Sequence, residues 1–178
     1  MIAADFETTH LTGPTNLPLI KQPYIIEYTF AVLEDNTLKE LKRETHLIKP
    51  ALAISEEVTR ITGLTNKDLM NQKPFAAHYR LWCDLFLGQR AMAAHNCFFE
   101  ASCMEVELKR LGRLTQFPWP SERLCTVELT AHLKGRRLKQ EELFEIATGK
   151  PPPKAHRTDA DVTTLVTNLR WLRKQKLI

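Results

Sequence analysis

The chain has 178 residues, a formal net charge of +4, 43% hydrophobic and 26% charged residues. That length suits one ordinary domain, residues 1–178, and the apolar fraction suffices for a core without disulfides or structural metal. No apolar run approaches the ~20 residues of a membrane span, and Met1 to Asp5 lacks the basic and apolar regions of a secretory signal, so a cytoplasmic protein is expected.

In chain order, residues 2–6 are a short apolar run predicted as a buried strand. Residues 24–33 and 38–48 read as two longer strands around the turn Glu34-Asp35-Asn36-Thr37, giving a three-strand meander. Ser55 and Thr65 sit at helix N-cap positions, which predicts short helices over 55–61 and 66–71 separated by Gly63. From Pro74 the period becomes helical, with Phe75, Tyr79, Trp82, Leu85 and Phe86 on one stripe and Gly88 as a stop. Ala91-Met92-Ala93-Ala94 predicts a fourth strand, Ala101, Met104, Leu108 and Leu111 a helix ending near Gly112, and residues 124–127 a fifth strand. Helices over 128–134, 139–148 and 158–174 complete a mixed α/β sheet covered by helices.

Charge is unevenly placed. Residues 1–122 hold 13 basic and 15 acidic side chains, whereas residues 123–178 hold 12 and 6. Clustered cations such as Lys134, Arg136, Arg137, Lys139, Lys150, Lys154 and Arg157 suit a polyanion, although a solvated helical face explains the same pattern. The four cysteines show no zinc-ligand spacing and are expected to be reduced.

Three acidic motifs stand out. Asp5-Phe6-Glu7 sets two carboxylates on one face of a strand while Phe6 points to the other. Paired buried acids are costly unless a cation neutralises them, and an all-oxygen site suits Mg²⁺ or Mn²⁺; two solvated acids at an exposed strand end are the alternative. Glu100 lies in His95-Asn96-Cys97-Phe98-Phe99-Glu100, where a helix dipole alone would favour an acid. Asp161 follows His156-Arg157-Thr158, where Thr158 and Asp161 also fit a capping box.

Taken together these motifs resemble the DEDDh 3′–5′ exonuclease superfamily, typified by the epsilon proofreading subunit of bacterial DNA polymerase III, ribonuclease T and oligoribonuclease. The likeness also covers Ile25-Ile26-Glu27 and the segment Ile54-Ser55-Glu56-Glu57-Val58-Thr59-Arg60-Ile61-Thr62-Gly63-Leu64-Thr65. Two positions depart from the pattern: Glu100 stands where the family has aspartate, and Thr62 where epsilon-like members have histidine.

The resemblance implies a ribonuclease H-like mixed five-stranded sheet flanked by helices, with two Mg²⁺ or Mn²⁺ ions. Asp5, Glu7 and Asp161 would hold one ion, and Asp5 would bridge to a second near Glu100. His156 would take the proton from the attacking water. The implied partner is the 3′ end of single-stranded or frayed DNA, favoured over RNA, hydrolysed to 5′-mononucleotides. Thr8, Phe6, Leu64, Asn96 and Phe99 are candidates to contact the terminal nucleotides, with a core role equally open to Phe6 and Phe99, and Lys154 and Arg157 to contact phosphate. Left open are an RNA-trimming enzyme of the same fold and a non-catalytic binding or polymerase accessory module in which Glu100 spoils the second ion's site. A homodimer and association with a polymerase are open too; the chain runs only from Lys174 to Ile178 beyond the last predicted helix, so a free-standing or small accessory enzyme is expected.

Overall fold

Strand β1 (Ile2–Thr8) runs through the middle of a five-stranded sheet ordered β3-β2-β1-β4-β5. The computed structural model describes residues 1–11, 17–152 and 157–178. β2 (Ile25–Leu33) and β3 (Glu40–Leu47) form the expected antiparallel meander with β1, while β4 (Ala91–Ala94) and β5 (Glu122–Cys125) add in parallel on its other side. The helices are α1 (Glu56–Thr62), α2 (Asn66–Leu69), α3 (Phe75–Phe86), α4 (Cys97–Arg110), α5 (Thr126–Thr130), α6 (Gln140–Thr148) and α7 (Thr158–Lys174).

Local chemistry sets several boundaries. The Ser55 side chain accepts from the Val58 N–H, Thr65 and Asp68 form a full capping box, and Gly63 ends α1 at φ +73°, a left-handed conformation that glycine adopts without a side-chain clash. α4 starts at Cys97, ahead of the apolar repeat that announced it, with Glu100 in its first turn as expected. Other boundaries differ from expectation. β5 begins at Glu122, earlier than the apolar residues suggested, because its outer edge is exposed. The helix expected over 128–134 is one α turn from Thr126 followed by a 3₁₀ turn, Ala131–Leu133. A further 3₁₀ turn, Leu19–Lys21, precedes β2.

Each face of the sheet carries a core. On one, Trp82 of α3 stacks on Phe6 at 5.6 Å and meets Phe30, Tyr28 and Phe75 edge-on, with Cys97, Met104 and Leu108 of α4 alongside. On the other, Met1, Ala3, Ala31, Ala91 and Ala93 pack against Val162, Leu165, Val166, Leu169 and Leu172 of α7. Small residues on this face let α7 lie close over β1. Asp5 and Glu7 continue the Met1-Ala3 alternation, so they emerge on the α7 face as the apolar packing ends.

Register then creates an opening. β1 pairs with β4 through Ile2↔Met92 and Ala3↔Ala93, and β4 ends at Ala94 while β1 continues to Thr8. At the carboxyl end of these parallel strands β1 therefore outruns its neighbour, a crevice where ligands bind in open α/β sheets.

Candidate active site

Three carboxylates converge in that crevice. Ligand atoms of Asp5, Glu7 and Asp161 lie within 4.8 Å of one another, all three side chains half-buried. β1 supplies two by strand alternation, and α7 supplies the third from its first turn. The capping box open to Thr158 and Asp161 does not form: the α7 N-cap is Arg157, without a side-chain cap, and the Thr158 hydroxyl instead meets Thr29 Oγ1 at 2.8 Å. Gln140 of α6 donates to the Asp161 backbone oxygen at 3.0 Å and its Oδ1 at 3.4 Å.

A fourth acid backs the cluster. Glu100 is 3% exposed, and its Oε2 has no hydrogen-bond partner among the described residues. Burial is the largest cause holding the Asp5 and Glu100 carboxyls well above their ordinary range; for Asp5 the neighbouring Glu100, Asp161, Glu7 and Glu27 push the same way. Glu7 is pushed up to about 7, by burial first and then by Asp161 and Glu27, with Arg157 opposing. Solvated acids at an exposed strand end would show none of this. Gathered, desolvated carboxylates and a buried orphan oxygen fit a hard divalent cation, whose charge would offset a repulsion that protons otherwise relieve.

The cleft beside them, about 410 Å³, is lined by Asp5, Asp161, His95, Asn96, Gln140 and cationic Arg137 and Lys139 among others. Asn96 turns the chain from β4 into α4 at φ +78°, a region asparagine tolerates better than most residues. His95 Nε2 lies 3.1 Å from the Leu138 carbonyl, which can only accept, and Nδ1 lies 2.7 Å from Thr126 Oγ1. That places a proton on Nε2; burial pulls this imidazole below its ordinary value, against the Leu138 carbonyl. A larger cavity, about 560 Å³, opens between Tyr24, Pro50, Phe75 and Leu111, but its carboxylate, Glu107, is bound to Arg110 and the Ile25 N–H.

The remaining candidates separate. His156 and Lys154 lie outside the described residues. Thr8 is half-buried at the end of β1, its hydroxyl donating to the His10 carbonyl. Phe6 is 5% exposed and stacked on Trp82, so strand alternation puts it in the core and not in the nucleotide cleft. Leu64 is 3% exposed, packed with Ile26, Ile54, Val58 and Leu69, which leaves no face for a base. Phe99 is half-buried against the same core as Trp82. Arg157, expected at a phosphate, directs Nε and Nη2 to the Glu27 carboxylate, with both Nε contacts at 3.0 Å.

Four residues of the site's surroundings were not among the sequence candidates. Glu27 stands directly opposite Glu7 on β2; its alternation with Ile26 was the available signal. Gln140 and His95 owe their roles to contacts from distant segments. Phe98 is 74% exposed in the first turn of α4, while its neighbours Cys97 and Phe99 turn toward the core, a difference that helical phase resolves once the helix start is known.

The fold is the mixed five-stranded α/β sheet of ribonuclease H-like exonucleases. The chain belongs to the exonuclease family RNase_T, described as "Exonuclease", which matches residues 2–169. The nuclease domain of 3'hExo, a DEDDh family member solved with rAMP, superimposes with a TM-score of 0.77 at 16% identity, covering 98% of this chain and 91% of that one. Exonuclease X, solved with 5′-overhanging duplex DNA, gives a TM-score of 0.64 at 19% identity over 98% of this chain and 92% of its own. Exonuclease I gives 0.77 at 16% identity, covering 99% of this chain and 41% of that one. No curated protein matches the sequence. Among the described residues no helix is long and apolar enough to cross a membrane.

Proposed function

We propose that the chain is a divalent-metal-dependent 3′–5′ exonuclease that removes 5′-mononucleotides from single-stranded or frayed ends. The observation that carries this reading is the convergence of Asp5, Glu7 and Asp161 within 4.8 Å. Those three would hold one Mg²⁺ or Mn²⁺, and Asp5 with Glu100 a second. When bound, the ions supply positive charge to the scissile phosphate and its attacking and leaving oxygens.

The protein's own part is positioning and proton transfer. Asp5 and Glu7 are held as a pair by the β2 ladder, while the side of β1 that outruns β4 stays open to the cleft. Asn96 lines the cleft where the terminal nucleotide would enter, and exposed Phe98 offers a face on which a base can stack without reading sequence. Arg137 and Lys139 supply cations along the strand's path. The His156 imidazole would accept the proton of the attacking water as general base. DNA is proposed as the substrate because Exonuclease X, the most identical of the three neighbours described, was solved on DNA; RNA is the alternative.

The test is a gel assay of single-stranded DNA, single-stranded RNA and duplex, labelled at either end, with Mg²⁺, Mn²⁺ or EDTA. A 3′ label should leave at once as a mononucleotide while a 5′ label shortens as a ladder, and EDTA or Asp5→Ala should abolish both. Undiminished hydrolysis by folded Asp5→Ala protein defeats the proposal. Tight strand binding without hydrolysis in either metal would mark a non-catalytic binding module instead.

A further inference from the structure

Glu27 is a carboxylate with 1% side-chain exposure, set directly across from Glu7. Like charges opposite one another destabilise a strand pair, and a buried charge needs a partner and filled hydrogen bonds. Both needs are met from α7. Arg157 donates from Nε and Nη2, and the Thr158 backbone N–H donates to Oε2 at 3.2 Å. Glu27 therefore acts as an N-terminal anion for α7, supplied by another element. Thr29, two residues along β2, adds the hydroxyl contact to Thr158, and Arg43 of β3 holds the Asp159 carboxylate at 2.7 Å. The helix start is tied to the sheet at several points, one turn before Asp161.

We propose that Glu27 and Arg157 are a positioning pair: the ion pair fixes the first turn of α7 on β2, so that Asp161 meets Asp5 and Glu7, and Arg157 acts through Glu27 and not on a substrate phosphate. The inference rests on the metal-site reading above. A guanidinium that left Glu27 for phosphate would strand a buried anion beside Glu7, an exchange that the geometry opposes. Position and charge make opposite predictions for metal affinity. Removing a cation near four carboxylates should by charge alone tighten divalent-ion binding, whereas releasing the helix should weaken it.

The test uses the whole protein without nucleic acid. Mn²⁺ affinity is measured by calorimetry for wild type, Arg157→Gln and the charge-balanced Glu27→Gln/Arg157→Gln, with amide hydrogen exchange followed over the first turn of α7. Loss of a residue that supports metal ligands typically weakens affinity about 10–100-fold. A weakening of ~10-fold or more is expected in both variants, together with faster exchange at the start of α7. On the p-nitrophenyl ester of thymidine 5′-monophosphate, kcat should fall with Mn²⁺ saturating, while KM for an oligonucleotide stays near wild type. Tighter or unchanged Mn²⁺ binding in Arg157→Gln, or unchanged exchange, overturns the pair. A raised oligonucleotide KM with intact metal affinity assigns Arg157 to phosphate instead. Wild-type protein that takes up no Mn²⁺ would sink the metal-site reading itself, a result distinct from wild-type uptake with an indifferent variant. The double variant leaves no unpaired buried charge, so it remains informative if Arg157→Gln fails to fold, and unchanged Mn²⁺ affinity there also overturns the pair.

Discussion

Glu7 should make the metal-free protein less stable as pH rises, and Glu7→Gln should cancel that loss. In the folded chain this carboxyl is pushed from its ordinary 4.5 up to about 7, chiefly by burial and then by Asp161 and Glu27. An unfolded chain has no such neighbours. Between pH 4.5 and 7 the folded state therefore binds more protons than the unfolded one, and stability falls with rising pH across that window. Below it both states are protonated and the effect vanishes. At about 1.4 kcal/mol per pH unit the loss is roughly 3 kcal/mol, equivalent to about 6–12 °C in melting temperature at 2–4 °C per kcal/mol for a chain of this size. Because the acids repel one another they titrate as a group, and relieving one eases its neighbours in the same direction. Thermal melts in EDTA at pH 4.5 and pH 8 provide the assay: wild type and Glu7→Gln should melt together at the lower pH, and the variant should melt higher at the upper. Mg²⁺ or Mn²⁺ should raise wild type at pH 8 far more than Glu7→Gln. Parallel pH profiles for the two proteins in EDTA would refute the electrostatic account of the cluster.

Three other changes have expected outcomes. Phe98→Ala should raise KM for single-stranded oligonucleotides by roughly 5–150-fold, the value of a ~1–3 kcal/mol stacking contact, with little change in kcat on a single-nucleotide ester; an unchanged KM removes Phe98 from the binding path. His156→Ala should lower kcat about 10²–10⁴-fold at neutral pH, and a rate within a factor of two of wild type would point to another base. Trp82→Ala, which empties the meeting point of Phe6, Tyr28, Phe30 and Phe75, should cost about 3–5 kcal/mol in urea unfolding.

The sequence by itself determined the α/β class, the three-strand meander and the positions of the acidic motifs. Those features are local: alternation puts Asp5 and Glu7 on one face, and the apolar spacing of Val162, Leu165, Leu169 and Leu172 lays α7 against the sheet. Helix and strand limits were less legible where a boundary depends on what covers it, as at exposed β5 and at α4, whose early start turns Phe98 outward. Only the tertiary structure decided that Phe6 and Leu64 belong to cores, that Thr158 bonds Thr29 and forms no capping box, and that Arg157 serves Glu27. The physical reason is that a side chain's charge and size are written in its own codon position, but its partner is chosen by strand register and helix packing. Glu27 meets Glu7 and Arg157 across 20 and 130 residues of chain, a distance no spacing rule spans.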